Sequence, residues 1–227
     1  MEDKKRPAPR QELRERIVAT AMMAFTAHGI RSIRMDDIAT QMGISKRTLY
    51  EIFADKETLL KECIQKSEEE NLRFVQHVQQ QTDNVLEVIL KIYMRSIEIY
   101  HNTNKKFFED IKKYPSAYEQ LHHHQHRDSE EALAFFRKGV EQGIFRDDIN
   151  FAIVNLLLHE QIGLLLNTNI CQKYSFLEVY ESIIFTYLRG ISTELGGREL
   201  DKFIQDYRRI SAQQPYQQPQ PSTPTTT

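Results

Sequence analysis

The sequence has no tryptophan, two cysteines, eight glycines and seven prolines in 227 residues. Cys63 and Cys171 stand far apart in no CxxC-like spacing, which excludes a disulfide framework and a cysteine zinc site and fits a reducing cytoplasm. Four of the seven prolines lie in the last thirteen residues, so the remainder has few helix breakers and long helices are its natural reading. Long hydrophobic runs are missing too. The most apolar stretch, Phe151 to Leu166, is broken by Asn155 and by His159-Glu160-Gln161, and no apolar segment follows Met1. Neither a signal peptide nor a membrane span is expected, which places the protein in the cytosol. Charge of one sign is absent as a bulk property: 30 Lys and Arg against 32 Asp and Glu leave a net charge of -2. Nucleic-acid binding would therefore have to come from a local patch. No GxSxG, Walker A or GxGxxG pattern occurs, and neither cysteine has a recognisable histidine partner. Nothing in the sequence speaks for an enzyme or for a bound cofactor.

What is present is 40% hydrophobic and 27% charged, enough in 26.8 kDa for one large domain or a small domain on a larger one. Residues 1–60 hold 11 Lys and Arg against 9 Asp and Glu, a mildly basic start. Met1 to Arg10, with Lys4, Lys5, Arg6 and Arg10 among two prolines, reads as a basic arm that either touches phosphate or is simply solvated. From Gln11, Leu13, Ile17, Ala21, Ala24 and Phe25 recur at helical spacing up to Gly29, a natural stop.

A short helix, Met35 to Met42, follows behind an acidic first turn, Asp36-Asp37, and ends at Gly43. Ser45 is a good N-cap for another short helix through Phe53, with Leu49, Ile52 and Phe53 inward and Lys46, Arg47, Thr48 and Glu51 outward. Two short helices joined by a glycine turn and packed on a longer one match the helix-turn-helix, whose second helix enters the major groove. Lys46 and Arg47 supply charge for phosphate or guanine edges, Thr48 a small hydroxyl, and Tyr50 a phenol that can reach a phosphate oxygen. A small helical bundle with a solvated basic face would show the same local pattern.

Asp55 caps a fourth helix from Lys56 to Gln81, and the reading stays helical to about residue 210. Val85 to Tyr100 is strongly apolar, Phe107 to Tyr114 is a short element stopped by Pro115, and Ser116 to Gln142 reads as one helix ended by Gly143. Ile149 to Leu166 follows. A last long helix carries Phe176, Val179, Tyr180, Ile183, Ile184, Tyr187, Leu188 and Ile191 as a broad apolar stripe and is expected to end at Gly196-Gly197. These two helices carry more apolar surface than one face needs, which points to pairing with a second copy of the chain or to plain core burial. The Gln/Pro/Thr-rich end from Ala212 has no means of folding by itself.

Phe25 to Leu60 resembles the DNA-binding region of TetR-family regulators. Phe25 with Gly29, Asp37-Ile38-Ala39, Met42-Gly43-Ile44-Ser45, Thr48-Leu49-Tyr50, Phe53, and Lys56-Glu57 with Leu59 stand in that family's order and spacing. The resemblance covers the first quarter of the chain by motif. It implies an all-α fold, with an N-terminal three-helix helix-turn-helix DNA-binding domain followed by a larger helical effector-binding and dimerisation domain. The corresponding divisions are a basic flexible arm over 1–10, the DNA-binding domain over 11–55, the effector domain over 56–210 and a disordered tail over 211–227. It further implies a repressor that binds a palindromic double-stranded operator as a homodimer and is released by a small-molecule effector. Carried over by position, Ser45 opens the reading helix, Lys46, Arg47, Thr48 and Tyr50 contact DNA, and Lys56 holds a phosphate. Two positions depart from the family's pattern. Arg34 replaces the usual Thr or Ser before the second helix and is expected to offer a charged phosphate contact, and Arg47 replaces a common Gly or Pro and is expected to read a base.

Tyr93, Phe107, Phe108, Phe135 and Leu165 permit an apolar effector pocket without identifying its ligand. His159-Glu160, a polar pair in an apolar helix, is suited to lining such a pocket, to bonding across a dimer interface, or to ordinary core satisfaction. His122 and His126 stand one helical turn apart, a spacing that can hold zinc, but no acidic partners match them and no metal site is assigned. A helical interaction protein that has lost DNA binding is the alternative function.

Overall fold

The computed structural model describes residues 9–123, 130–167 and 170–213, without the side chains of 122–123, 159, 162–167, 171–172 and 210–213. The basic segment before Pro9, the Gln/Pro/Thr-rich end and the side chains of His122, His123, His124 and His126 lie outside the described residues. Twelve helices are described: α1 (Pro9–His28), α2 (Met35–Met42), α3 (Lys46–Ile52), α4 (Lys56–Gln81), α5 (Val85–His101), α6 (Lys105–Ile111), α7 (Pro115–His123), α8 (Glu130–Glu141), α9 (Phe151–Asn167), α10 (Ile170–Lys173), α11 (Phe176–Ile191) and α12 (Glu194–Gln213). Pro9 and Arg10 open α1 instead of belonging to an arm, because proline in a first helical turn forfeits no hydrogen bond. Phe145 and Ser192 form an isolated antiparallel bridge.

Local chemistry sets the early boundaries. Gly43 takes φ +66°, its N–H bonds Thr40 O, and the Ile44 N–H reaches back to Ala39 O, which closes α2. No atom lies within 4 Å of where its Cβ would stand, so the backbone angle alone calls for glycine. The Ser45 Oγ accepts the Thr48 N–H at 3.0 Å and starts α3. The Asp55 carboxylate accepts the Thr58 N–H at 2.7 Å and starts α4, and that bond holds Asp55 below the usual carboxylate range.

Two apolar cores follow. The first joins α1, α2, α3, the first half of α4, α6 and α7 through Ile17, Phe25, Ile38, Leu49, Leu59 and Ile111, all essentially buried. The second joins α5, α8, α11 and α12 through Leu86, Tyr93, Phe145, Ile184, Leu188 and Leu200. The 26-residue α4 spans about 39 Å at the helical rise. Its first half carries the buried Leu59, Leu60, Cys63 and Ile64, while Leu72 further along is exposed.

The stop expected at Gly196-Gly197 is a correction. Helix α11 ends at Ile191, Ser192 turns extended, and both glycines sit in the first turn of a further helix, α12. Thr193 Oγ accepts the Gly196 N–H at 3.2 Å and donates to Gly143 O at 2.6 Å, pinning α12 to the end of α8. A Cβ on Gly196 would stand 2.3 Å from Ile144 O, so this glycine serves a close backbone approach and not a helix end.

Candidate nucleic-acid interface

The site begins with how α3 is held. Leu49 and Phe53 are fully buried in the first core, which turns Lys46, Arg47, Tyr50 and Glu51 outward by helical period. Tyr50 is 48% exposed, unusual for so large a ring unless it faces a partner. Ser45 and Thr48 are tied to each other by an Oγ–Oγ1 contact of 2.8 Å, so their hydroxyls are shared between capping and the outer face.

The cations of this face have intramolecular partners. Lys46 pairs with Asp36 of α2, and the hydrogen bond to that carboxylate raises the ammonium above its usual range. Arg47 Nε donates to Glu51 Oε1 at 2.9 Å. Arg34 stands in extended backbone before α2, and its donor-only side chain has no acceptor with which to cap the helix. Asp37 compensates by reaching back to the Arg34 N–H at 2.7 Å. The Arg34 side chain is left exposed, on the same side as that of Arg31.

Lys56 is placed differently from the outer residues. Its ammonium donates to Ile33 O and lies 5.7 Å from the Phe25 ring centre and 5.8 Å from that of Tyr114. Burial pushes this ammonium below its ordinary range. Lys56 thus ties the start of α4 to the turn before α2.

Two arginines of α1 belong to the site and were not singled out from the sequence. Arg10 Nη2 donates to Glu51 O at 3.1 Å. Arg14 bonds Glu62 through Nε at 2.7 Å, donates to Ile52 O at 3.3 Å and lies 4.6 Å from the centre of the Phe53 ring. Both close the carbonyl end of α3, which favours cations. Their charge was visible in the sequence, but their partners are 38 to 48 residues away.

The six effector-pocket candidates fall in different places. Phe107 is buried in the first core and Phe108 packs against it. Tyr93 and Phe135 belong to the second core, where the Tyr93 hydroxyl donates to Glu181 Oε1 at 3.0 Å. The side chains of His159 and Leu165, on α9, lie outside the described residues. An aromatic run connects the two cores: Phe108 stacks on Tyr100, Tyr100 on Phe176, Phe176 on Tyr180 and Tyr180 on Tyr93. One described cleft of about 530 Å³ lies between α1 and α4, lined by Glu15, Val18, Met22, Cys63 and Glu70 among others, and none of the six candidates lines it. Among the described residues no helix is long and apolar enough to cross a membrane.

Residues 17–63 match the family model of the tetR family of bacterial regulatory proteins, the segment that forms this interface. The chain belongs to the TetR family. This TetR-family chain is 23% identical over 146 residues to the HTH-type transcriptional repressor KstR2 of Mycobacterium tuberculosis, covering 62% of this chain and 73% of that protein. Its fold is similar to that of a TetR-family regulator from Cytophaga hutchinsonii, with a TM-score of 0.64 and 13% identity over 84% of this chain and 100% of the other. A TetR-family regulator from Agrobacterium tumefaciens gives 0.62 and 14% identity over 81% of this chain and 100% of that one. The TetR fold thus extends beyond the matched segment, through the helices of the second core.

Proposed function

We propose that this TetR-family regulator is a cytoplasmic repressor that binds a palindromic DNA operator as a homodimer through α3 and is released by a small-molecule effector. The observation that carries the reading is the outer face of α3, where Lys46, Arg47 and Tyr50 are exposed on a short helix anchored by Leu49 and Phe53. Phosphate contacts from Arg34 and Lys46 would set its register, and Arg47, Thr48 and Tyr50 would meet base edges or flanking phosphates. Similarity to a repressor supports the sign of regulation.

Dimer formation is supported by α9, where Ile153, Leu156 and Leu157 are 54%, 45% and 48% exposed at spacings of three and four residues. A second copy covering this stripe would place two α3 helices for grooves about 34 Å apart. The effector would act on the second core and the aromatic run from Tyr93 to Phe108. That run ends on α6, which holds the end of α1 through Asn104: its N–H donates to Thr26 O at 2.7 Å and its Nδ2 to Ala27 O at 3.1 Å. Movement of α6 or of α4 would therefore re-aim the reading head. The role is binding and not catalysis, with no cofactor.

Selection of bound duplexes from a random-sequence pool tests the reading directly. Enrichment of a palindrome whose affinity falls steeply with salt is expected. An absence of enrichment, with salt-insensitive association, would instead favour a helical interaction protein.

A further inference from the structure

The two cations on the exposed face of α3 are each held by a carboxylate. Lys46 pairs with Asp36, and Arg47 donates through Nε to Glu51 one turn along the helix. Both members of the second pair are open to water, Arg47 at 88% and Glu51 at 58% exposure. Arg10 bonds the Glu51 carbonyl, so a third cation borders the same residue. A helix built only to attract phosphate gains nothing from carboxylates on its outer face, because they repel the duplex. An exposed pair at this spacing is also too weak to matter much for folding.

The atom that makes the bond matters. With Nε given to Glu51, the two terminal amino groups of Arg47 lie outside the pair and keep the fork that matches guanine O6 and N7. We propose that Glu51 is a positioning residue that sets sequence specificity: it holds the Arg47 fork for a guanine edge and disfavours its use on phosphate. The inference rests on the DNA-binding reading above. On a mismatched duplex, Arg47 reaches a phosphate only by leaving Glu51 uncompensated beside the polyanion. On a matching site the pair stays intact while the fork engages the base.

The test compares the wild-type chain, Glu51→Gln, Arg47→Ala and the double variant on a duplex selected by the wild type and on a scrambled duplex of equal composition, across a salt series. Glu51→Gln is expected to tighten binding to the scrambled duplex and to lower the selected-to-scrambled ratio about tenfold. It should also steepen the salt slope on the scrambled duplex by about one unit per subunit, as Arg47 becomes free to neutralise a phosphate. In the Arg47→Ala background the Glu51 change is expected to shift neither quantity. An unchanged ratio and slope, or the same shift without Arg47, overturns the inference while leaving DNA binding in place. A wild-type chain that prefers no duplex overturns the DNA-binding reading and this inference with it.

Discussion

The Asp110 carboxylate accepts the backbone N–H of Arg31 at 2.8 Å, joining α6 to the turn between α1 and α2 across 79 residues of sequence. Asp110 is 9% exposed, and a Cβ on Gly29 would stand 3.1 Å from the same oxygen and 2.7 Å from Lys106 Cβ. This turn precedes the whole reading unit, so its anchor governs the aim of α3.

Replacing Asp110 with Ala leaves the Arg31 N–H without that acceptor in a partly buried place. A loss of about 1–3 kcal/mol in unfolding free energy is expected, with weaker operator binding. Urea denaturation and anisotropy titration measure the two, and unchanged values in both would remove Asp110 from this role.

Arg47→Ala and Tyr50→Ala are each expected to weaken operator binding by about tenfold or more. Both side chains are exposed, so the oligomeric state seen by gel filtration should not change. Undiminished affinity in both variants would contradict the placing of α3 against DNA.

On α9, Leu156→Lys puts a charge in the middle of the exposed apolar stripe. Sedimentation should then show a smaller species than the wild type at equal concentration, and operator affinity should fall with it. A sedimentation profile identical to wild type would place the dimer contact elsewhere.

Burial raises the Cys63 thiol from 9.0 to about 12, and its Sγ donates to Val18 O at 3.5 Å. Between those pH values the unfolded chain loses this proton while the folded chain keeps it, so the folded state binds more protons and stability falls as pH rises. The wild type should therefore lose stability more steeply than Cys63→Ala above about pH 9. Native Cys63 should also resist alkylation at neutral pH until the chain is unfolded. Parallel pH curves for the two proteins would contradict the assigned burial effect.

Helix boundaries around the reading unit were legible because their causes are local. Asp55, Ser45 and Gly43 act on groups within four residues of themselves, and α2, α3 and α4 begin and end where those residues predict. Gly196-Gly197 misled for the opposite reason. A glycine that ends a helix and one that lets two backbones approach look alike in sequence, and only the position of Ile144 O separates them. Lys56 is a similar case: sequence shows a cation at a helix start, and only the fold shows the Ile33 carbonyl and the two rings around it.

By itself, then, the sequence determined that a helix-turn-helix exists between Ile33 and Phe53 and which residues face outward on α3, since period, caps and the glycine turn are properties of adjacent residues. Tertiary structure decided how those outward cations are held, by Asp36 and Glu51 on the outer face and by Arg10 and Arg14 at the end of the helix. It also decided that α6 and α7 belong to the core of the reading unit, because such contacts join residues whose separation along the chain carries no local signal.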